Sequence, residues 1–413
     1  ITNRRGFTQS LTYSDGSTGP NGGYVLDAQG NPTAVTLPAG LLIRVSDDAG
    51  RSLTFGYDAS SRIVKMTDPA NGIYLYTYDA NNNLSSVTYP DGRTKTYLYG
   101  EPAYTSGASL PHALTGILDE NGVRYATYWY DAQGRAIKEA HAPDSNLGID
   151  QYQLTYNVDS AGNPVSTDVT DPLGSARTYT FQTILGVVKS TGQSQPGGSG
   201  CSPAATNVTY DANGNVASRT DFNGNTTTYQ YDLTRNLETS RTEAAGTPQA
   251  RTLTTQWHPT FRLPTQITEA GRTTEYSYDP TTGNVLVKKI TDTATGQVRQ
   301  WTYTYTGAGD NTLPALLKTV DGPRSDVPDV TNYGYYPNGD LKTVTNALNQ
   351  TTQLTQYDPN GRPLTLIDPN GLTTTLSYTP RGWLASRTVG SETTRYDYDG
   401  VGQLTRVTFP DGS

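Results

Sequence analysis

The sequence predicts an all-β protein: a continuous array of antiparallel β-hairpins laid side by side into a curved or spiralling sheet. Three observations carry that reading. A Tyr-Asp pair, or a close substitute, recurs along the chain, and six intervals between copies share one length (57→78, 78→99, 210→231, 257→278, 336→357 and 357→378). Composition favours turns and strands, with 42 Gly, 25 Pro and 30 Tyr against one Met and six Phe in 413 residues. No stretch places apolar residues at helical spacing; even 244–249 is interrupted by Gly246 and Pro248.

The repeat is clearest where Tyr57-Asp58, Tyr78-Asp79, Tyr130-Asp131, Tyr210-Asp211, Tyr231-Asp232, Tyr278-Asp279, Tyr357-Asp358 and Tyr398-Asp399 align. Tyr99-Gly100, Tyr156-Asn157, Phe181-Gln182, Trp257-His258, Tyr305-Thr306, Tyr336-Pro337 and Tyr378-Thr379 fill the same slot with variation. In the unit 357–378 two Asp-Pro-Asn-Gly segments bracket a short β-branched run. Pro presets φ at about −65° and Asn-Gly tolerates positive φ, so each segment is a tight turn. The runs between them suit a pleated surface. One unit is therefore strand, turn, strand, turn. Tyrosines two apart, such as Tyr76/Tyr78, Tyr97/Tyr99 and Tyr396/Tyr398, share a strand face and are expected to stack across neighbouring strands.

The array is read as one unit over 1–413, with 1–56 as divergent first repeats. Residues 57–413 form recognisable repeats with longer loops near 100–128, 182–209 and 306–335. Two strands per interval give about 28 strands and a ribbon about 135 Å wide. Strongly twisted sheets rarely pass ~10 strands without curling or splitting, so the ribbon is expected to wrap around a space. Its radius of gyration should exceed the roughly 22 Å of a compact chain this long.

Composition also excludes function classes. The charge is −8, from 30 Lys+Arg and 38 Asp+Glu, and no basic cluster offers a nucleic-acid surface. No run approaches the ~20 apolar residues of a membrane-spanning helix. Cys201 is the one cysteine and forms neither an internal disulfide nor a cysteine zinc site. The opening at Ile1 reads as a cut from a longer protein.

Candidate chemistry is sparse. His112, His141 and His258 lack metal-ligand spacing, and His258 occupies the Asp position of its repeat. Cys201 lies in a Gly-rich segment with no basic residue nearby in sequence to lower its pKa. Asp211–Asn215 and Asp221–Asn225 are oxygen-rich, but lack the Gly and Glu placement of an EF-hand loop. Their Asp residues are explained by turns, where the carboxylate accepts backbone N–H groups. No catalytic, cofactor-binding or metal residue is assigned.

These residues resemble the RHS/YD-repeat family, whose pattern runs roughly Tyr-Asp-x-x-Gly-Arg-Leu, a β-branched run, a Gly turn, then Thr-x-Tyr-x-Tyr-Asp. The match spans about 24–413 and is clearest at 48–99, 210–232, 257–279 and 336–413. The resemblance implies part of a hollow β-shell that encapsulates a carboxy-terminal polypeptide of the same parent protein, often a toxin. It implies a non-enzymatic, bacterial, secreted or cell-surface protein, partnered by that cargo domain and by secretion or toxin-complex delivery machinery. Asp171-Pro172-Leu173-Gly174 shares four letters with the family's self-cleavage segment, but sits in an ordinary turn slot and continues Ser175-Ala176. A second reading is an extracellular carbohydrate-binding or adhesion module, in which outward tyrosines stack on sugar rings.

Overall fold

The computed structural model describes residues 1–141 and 149–413. Its turns form by a local rule. In the turn after Tyr57, Asp58 Oδ1 accepts the backbone N–H groups of Ser60 and Arg62, both at 2.9 Å. The Asp58 N–H donates to the Arg62 carbonyl, closing the turn. The third residue after the Asp must then be left-handed, which Gly adopts at no steric cost; Gly134 and Gly361 sit there at φ 80°. The return turns, such as 68–72 and 368–372, repeat the same bonds.

The strands are short and pair in chain order, giving a 15-stranded and an 18-stranded antiparallel sheet. They meet at Ala204–Ala205 and Asn207–Tyr210, which act as one interrupted strand: Ala204 and Ala205 pair with Gln195 and Ser194, and Thr206 N–H donates to the Gln193 carbonyl. The two sheets thus run on as one ribbon, with 32 strands among the described residues once this pair counts as one and the separate hairpin is left out of the 35 assigned. The count exceeds the sequence-derived 28 by four: three ribbon strands at 9–57 precede the first repeat interval, and Leu404–Thr408 follows the last. One segment leaves the chain order. Strand Gln9–Tyr13 pairs with Leu42–Asp47, and the hairpin Tyr24–Leu26/Pro32–Thr36 between them folds back onto the ribbon. There Val25 and Leu37 bury against Tyr57 in a small apolar cluster.

The two faces differ chemically. Along one, Phe55 pairs with Met66, Met66 with Tyr74, and Tyr76 with Val87. Along the other run hydroxyls, with Ser46–Ser52, Thr88–Thr94, Thr220–Thr226 and Thr345–Thr351 hydrogen-bonded at 2.8–3.0 Å. Period two dictates this split.

The ribbon is a single layer, with little solid core. Nine hydrophobic residues are buried among those described. The accessible surface is 23381 Å², against about 15,600 Å² for a compact monomer of 44.5 kDa.

Long-range contacts show how it wraps. Arg51 meets Asp340, the Ala70 N–H donates to Asn360 Oδ1, and Asp91 faces Arg381, at separations of 289–290 residues. Each pair joins a return turn of a first coil to a tyrosine turn of a second, 23 ribbon strands later. An odd count is required, because only then do opposite edges of an antiparallel ribbon come face to face. Spaced at ~4.8 Å, 23 strands make a coil about 35 Å across.

Two slots shift from their sequence alignment. Phe181 lies mid-strand opposite Ser190, because the turn there is the two-residue Leu185-Gly186, both with positive φ. Tyr336 occupies the Asp position, its N–H donating to the Asp340 carbonyl, and Tyr335 fills the tyrosine slot. Strand Val187–Gln195 occupies much of the long interval 182–209.

Candidate functional site: the ribbon wall and its seam

In most repeats the slot tyrosine joins its repeat to the one before it. The ladder between Leu42–Asp47 and Ser52–Tyr57 ends at Arg44↔Thr54, leaving the Leu42 carbonyl beyond it. Tyr57 Oη donates to that carbonyl at 2.6 Å. The same bond recurs at Tyr78, Tyr130, Tyr156, Tyr210, Tyr278, Tyr305, Tyr335, Tyr357, Tyr378 and Tyr398, at 2.6–3.0 Å. Trp257 Nε1 does the same to Glu238. A Phe would leave these carbonyls without that partner.

The remaining letters of the pattern follow. Arg62 closes back on Asp58, and its guanidinium lies 4.6 Å from the Tyr78 ring centroid of the next repeat. Arg362 repeats this with Asp358 and Tyr378. The expected tyrosine-on-tyrosine ladder gives way to a tyrosine–cation alternation. Slot tyrosines sit on alternate strands, roughly 9.6 Å apart, too far to touch, and the intervening Arg fills the gap. Tyr276 and Tyr278, on one strand, do stack, at 6.2 Å. Burial, then the neighbouring Tyr276, pushes the Tyr278 hydroxyl up to about 12. Turn carboxylates move the other way. The Asn83 side chain is the largest influence holding Asp79 below its ordinary value, and the Asn163 backbone N–H does so for Asp159.

The seam between coils is polar and discontinuous. Arg51 pairs with Asp340, and Asn360 Nδ2 donates to Asp68 Oδ2 at 3.3 Å. Arg381 is the densest node: it donates to Glu120 Oε1 at 2.8 Å and to the Gly400 carbonyl at 2.9 Å, and lies 3.9 Å from the Tyr89 ring centroid. The Glu120 side chain is 1% exposed and also has Lys95 at 3.6 Å. A Cβ at Gly400 would sit 2.2 Å from Asn121 Oδ1 and 2.6 Å from an Arg93 guanidinium nitrogen, so a larger residue there would displace those side-chain tips. Between these tips lie open cavities of about 570 and 480 Å³.

The candidate chemical residues are scattered. His112 Nδ1 is 2.7 Å from Asn83 Oδ1, His141 is 3.7 Å from Glu139, and His258 Nδ1 accepts the N–H groups of Thr260 and Phe261 as a turn cap. Cys201 is exposed. Asp211 Oδ1 and Asp221 Oδ1 each take two backbone N–H groups, and Asp171 does the same in 171–175. Among the described residues no group of His, Cys, Asp and Glu is arranged to hold a metal ion, and no helix is long and apolar enough to cross a membrane. Sequence reasoning missed the seam residues, because nothing local distinguishes Arg381 from other turn arginines.

A single-layer superhelix of hairpins, most of them tied backwards by a tyrosine, defines the class as a β-repeat wall. Residues 38–73, 67–94, 210–248, 335–373 and 357–392 match the RHS Repeat family, so those segments of the chain carry repeats of the RHS/YD type. Its fold is similar to the crystal structure of TcdB2-TccC3-Cdc42, at 14% identity and TM-score 0.63, covering 97% of this chain and 21% of that one. It is also similar to TcdB2-TccC3 without hypervariable C-terminal region, at 14% identity and TM-score 0.63, covering 89% and 20%. The chain thus spans about a fifth of the length of these neighbours, and the likeness is one of fold. No curated protein matches the sequence.

Proposed function

We propose that the chain is a non-enzymatic wall segment of a hollow shell that encloses a polypeptide of the same parent protein, a toxin domain by family analogy. The observation that carries this is surface: 23381 Å² on a wrapped single layer, about one and a half times the area of a solid protein of this mass. A coil about 35 Å across, less a wall of ~10 Å, leaves a lumen of about 25 Å. A folded domain of about 100 residues has a radius of gyration of about 13 Å and is wider than that lumen, so the cargo would be held unfolded. Enclosure works by exclusion: proteases and targets are kept out, and the wall performs no bond chemistry. One fold neighbour was solved without its hypervariable C-terminal region, which favours a variable cargo at that end. A secreted or cell-surface setting and a delivery apparatus belong to the same reading. The repeat tyrosines favour the wall over a general sugar-binding ladder, because their hydroxyls are engaged by backbone carbonyls.

The test is to co-produce this chain with the carboxy-terminal polypeptide of its parent and expose both to protease. The cargo should survive with the wall intact and be digested once Arg381→Glu opens the seam. Digestion of the cargo at the rate of the free polypeptide, with the wall intact, would refute enclosure.

A further inference from the structure

We propose that the tyrosine-turn edge at 232–236 and 258–263, with Arg4 laid over it, binds an acidic segment of another polypeptide. Three arginines far apart in the sequence gather there. Arg235 donates to the His258 and Phe261 carbonyls at 2.8 and 2.9 Å, and Arg262 to the Arg235 and Asn236 carbonyls at 2.7 and 3.1 Å. Arg4 Nε donates to the Thr282 carbonyl at 3.0 Å, and its Cζ lies 3.9 Å from the Phe261 ring centroid. Among the described residues none of the three has an ion-pair partner, whereas Arg62, Arg135, Arg362 and Arg381 of other turns each have a carboxylate. The turn carboxylates beside them are committed to backbone: Asp232 Oδ1 accepts the Thr234 N–H, and Asp279 Oδ1 those of Thr281 and Thr282. Carbonyls satisfy N–H donors without cancelling charge, so a positive patch stands on a chain of charge −8.

The seam indicates what such an edge takes. Residues 3–7 form a return turn of the usual kind, in which Asn3 Oδ1 accepts the Arg5 and Phe7 N–H groups and Gly6 has φ 90°. Through Arg4 this turn seats on the tyrosine turn 279–284, and the seam runs on from there to Arg51–Asp340 and Arg381–Glu120. Turns 258–263 and 232–236 are the two preceding turns of the same edge. Each charged contact between the coils pairs an arginine with Asp or Glu. Arg262 and Arg235 present the same group with no carboxylate opposite. A guanidinium carries five N–H donors, and carbonyls take at most two of them here, so the rest can grip a carboxylate in the planar, charge-assisted way that arginine favours. The partner that fits is a polypeptide stretch rich in Asp or Glu.

Fluorescence anisotropy of the whole chain with labelled hexaglutamate, hexaglutamine and oligothymidylate tests this. Saturable, salt-sensitive binding of hexaglutamate is expected, with none of hexaglutamine and weaker binding of oligothymidylate. The double substitution Arg4→Gln/Arg262→Gln should weaken hexaglutamate about tenfold with an unchanged circular dichroism melt. Arg387→Gln/Arg395→Gln, which removes the same charge from two arginines on neighbouring strands elsewhere, should leave it within about twofold. Should the first double variant melt early, Arg262→Gln alone, at an exposed side chain, is read in its place. Equal loss in the two double variants, equal or tighter binding of oligothymidylate, binding of hexaglutamine, or no binding at all would each overturn the assignment. So would sedimentation showing that the chain self-associates through these arginines, since the occupant would then be a second copy. The measurement needs no cargo, so its failure leaves the enclosure reading standing.

Discussion

Replacing Tyr78 by Phe removes one hydroxyl and leaves the ring. In the native wall that hydroxyl donates to the Ile63 carbonyl at 2.8 Å. The ladder between Ile63–Thr67 and Ile73–Tyr78 ends at Lys65↔Leu75, so the next strand offers this carbonyl no backbone donor. The Arg62 guanidinium 4.6 Å from the ring centroid is retained by Phe, so the cation–π contribution does not change. The loss is therefore one half-buried hydrogen bond, about 1 kcal/mol. Tyr76→Phe is the control, since the Tyr76 hydroxyl meets only Met66 Sδ at 4.0 Å and should cost under about 0.5 kcal/mol. Repeat arrays hold together by nearest-neighbour interfaces, so the effect should be local. Amide exchange in 63–67 should speed up about fivefold in Tyr78→Phe, with 384–408 unaffected. Equal effects of the two substitutions, or uniform loss of protection along the chain, would refute the tyrosine-tie argument.

Gly361→Val should lower the melting temperature, because φ is +80° and a Cβ there would lie 2.6 Å from Arg51 Cζ across the seam. The left-handed backbone alone costs about 1–2 kcal/mol, and an unchanged melt would show the turn is not strained. Arg381→Met should cost about 3 kcal/mol, the low end for breaking a buried pair because Lys95 still faces Glu120. Hydrogen exchange should rise at 119–123 and 399–403 together; a rise in only one turn would show that they are not joined. Stability should have two pH limbs. The depressed turn carboxylates, including Asp79, Asp159 and Asp221, contribute fully above their unfolded value of about 3.9, and that contribution is lost as pH falls through their lower folded values. Tyr278, raised to about 12, contributes fully below pH ~10 and loses that contribution as pH rises through its folded value. Chemical denaturation across pH should show both declines, and a flat profile would contradict the shifts.

Much of this wall is written locally. Asp58 and Gly361 announce their turns because an Asx turn and a left-handed residue need only a few neighbours, and those neighbours are adjacent in sequence. The alternation of Tyr with Thr announces two faces for the same reason. Phe181 and Tyr336 misled the alignment because composition marks a slot, whereas the hydroxyl–carbonyl bond defines it, and that bond reaches 14–20 residues back. The hairpin at 24–36 was not separable from a divergent repeat, since its docking on Tyr57 is a tertiary contact.

Reading the residues in order is enough to obtain the hairpin period, the turn chemistry, the curvature implied by a long twisted ribbon, and the likeness to the RHS repeat. That one circuit of the open ribbon takes 23 strands, which edges meet, and that Arg381 and Glu120 join at the seam emerge only from the path of the chain in space. The difference is one of range. Turn and strand preferences act between close neighbours in the chain, while the coil's size is set by small twist increments summed around a whole circuit of the ribbon, which no local pattern encodes.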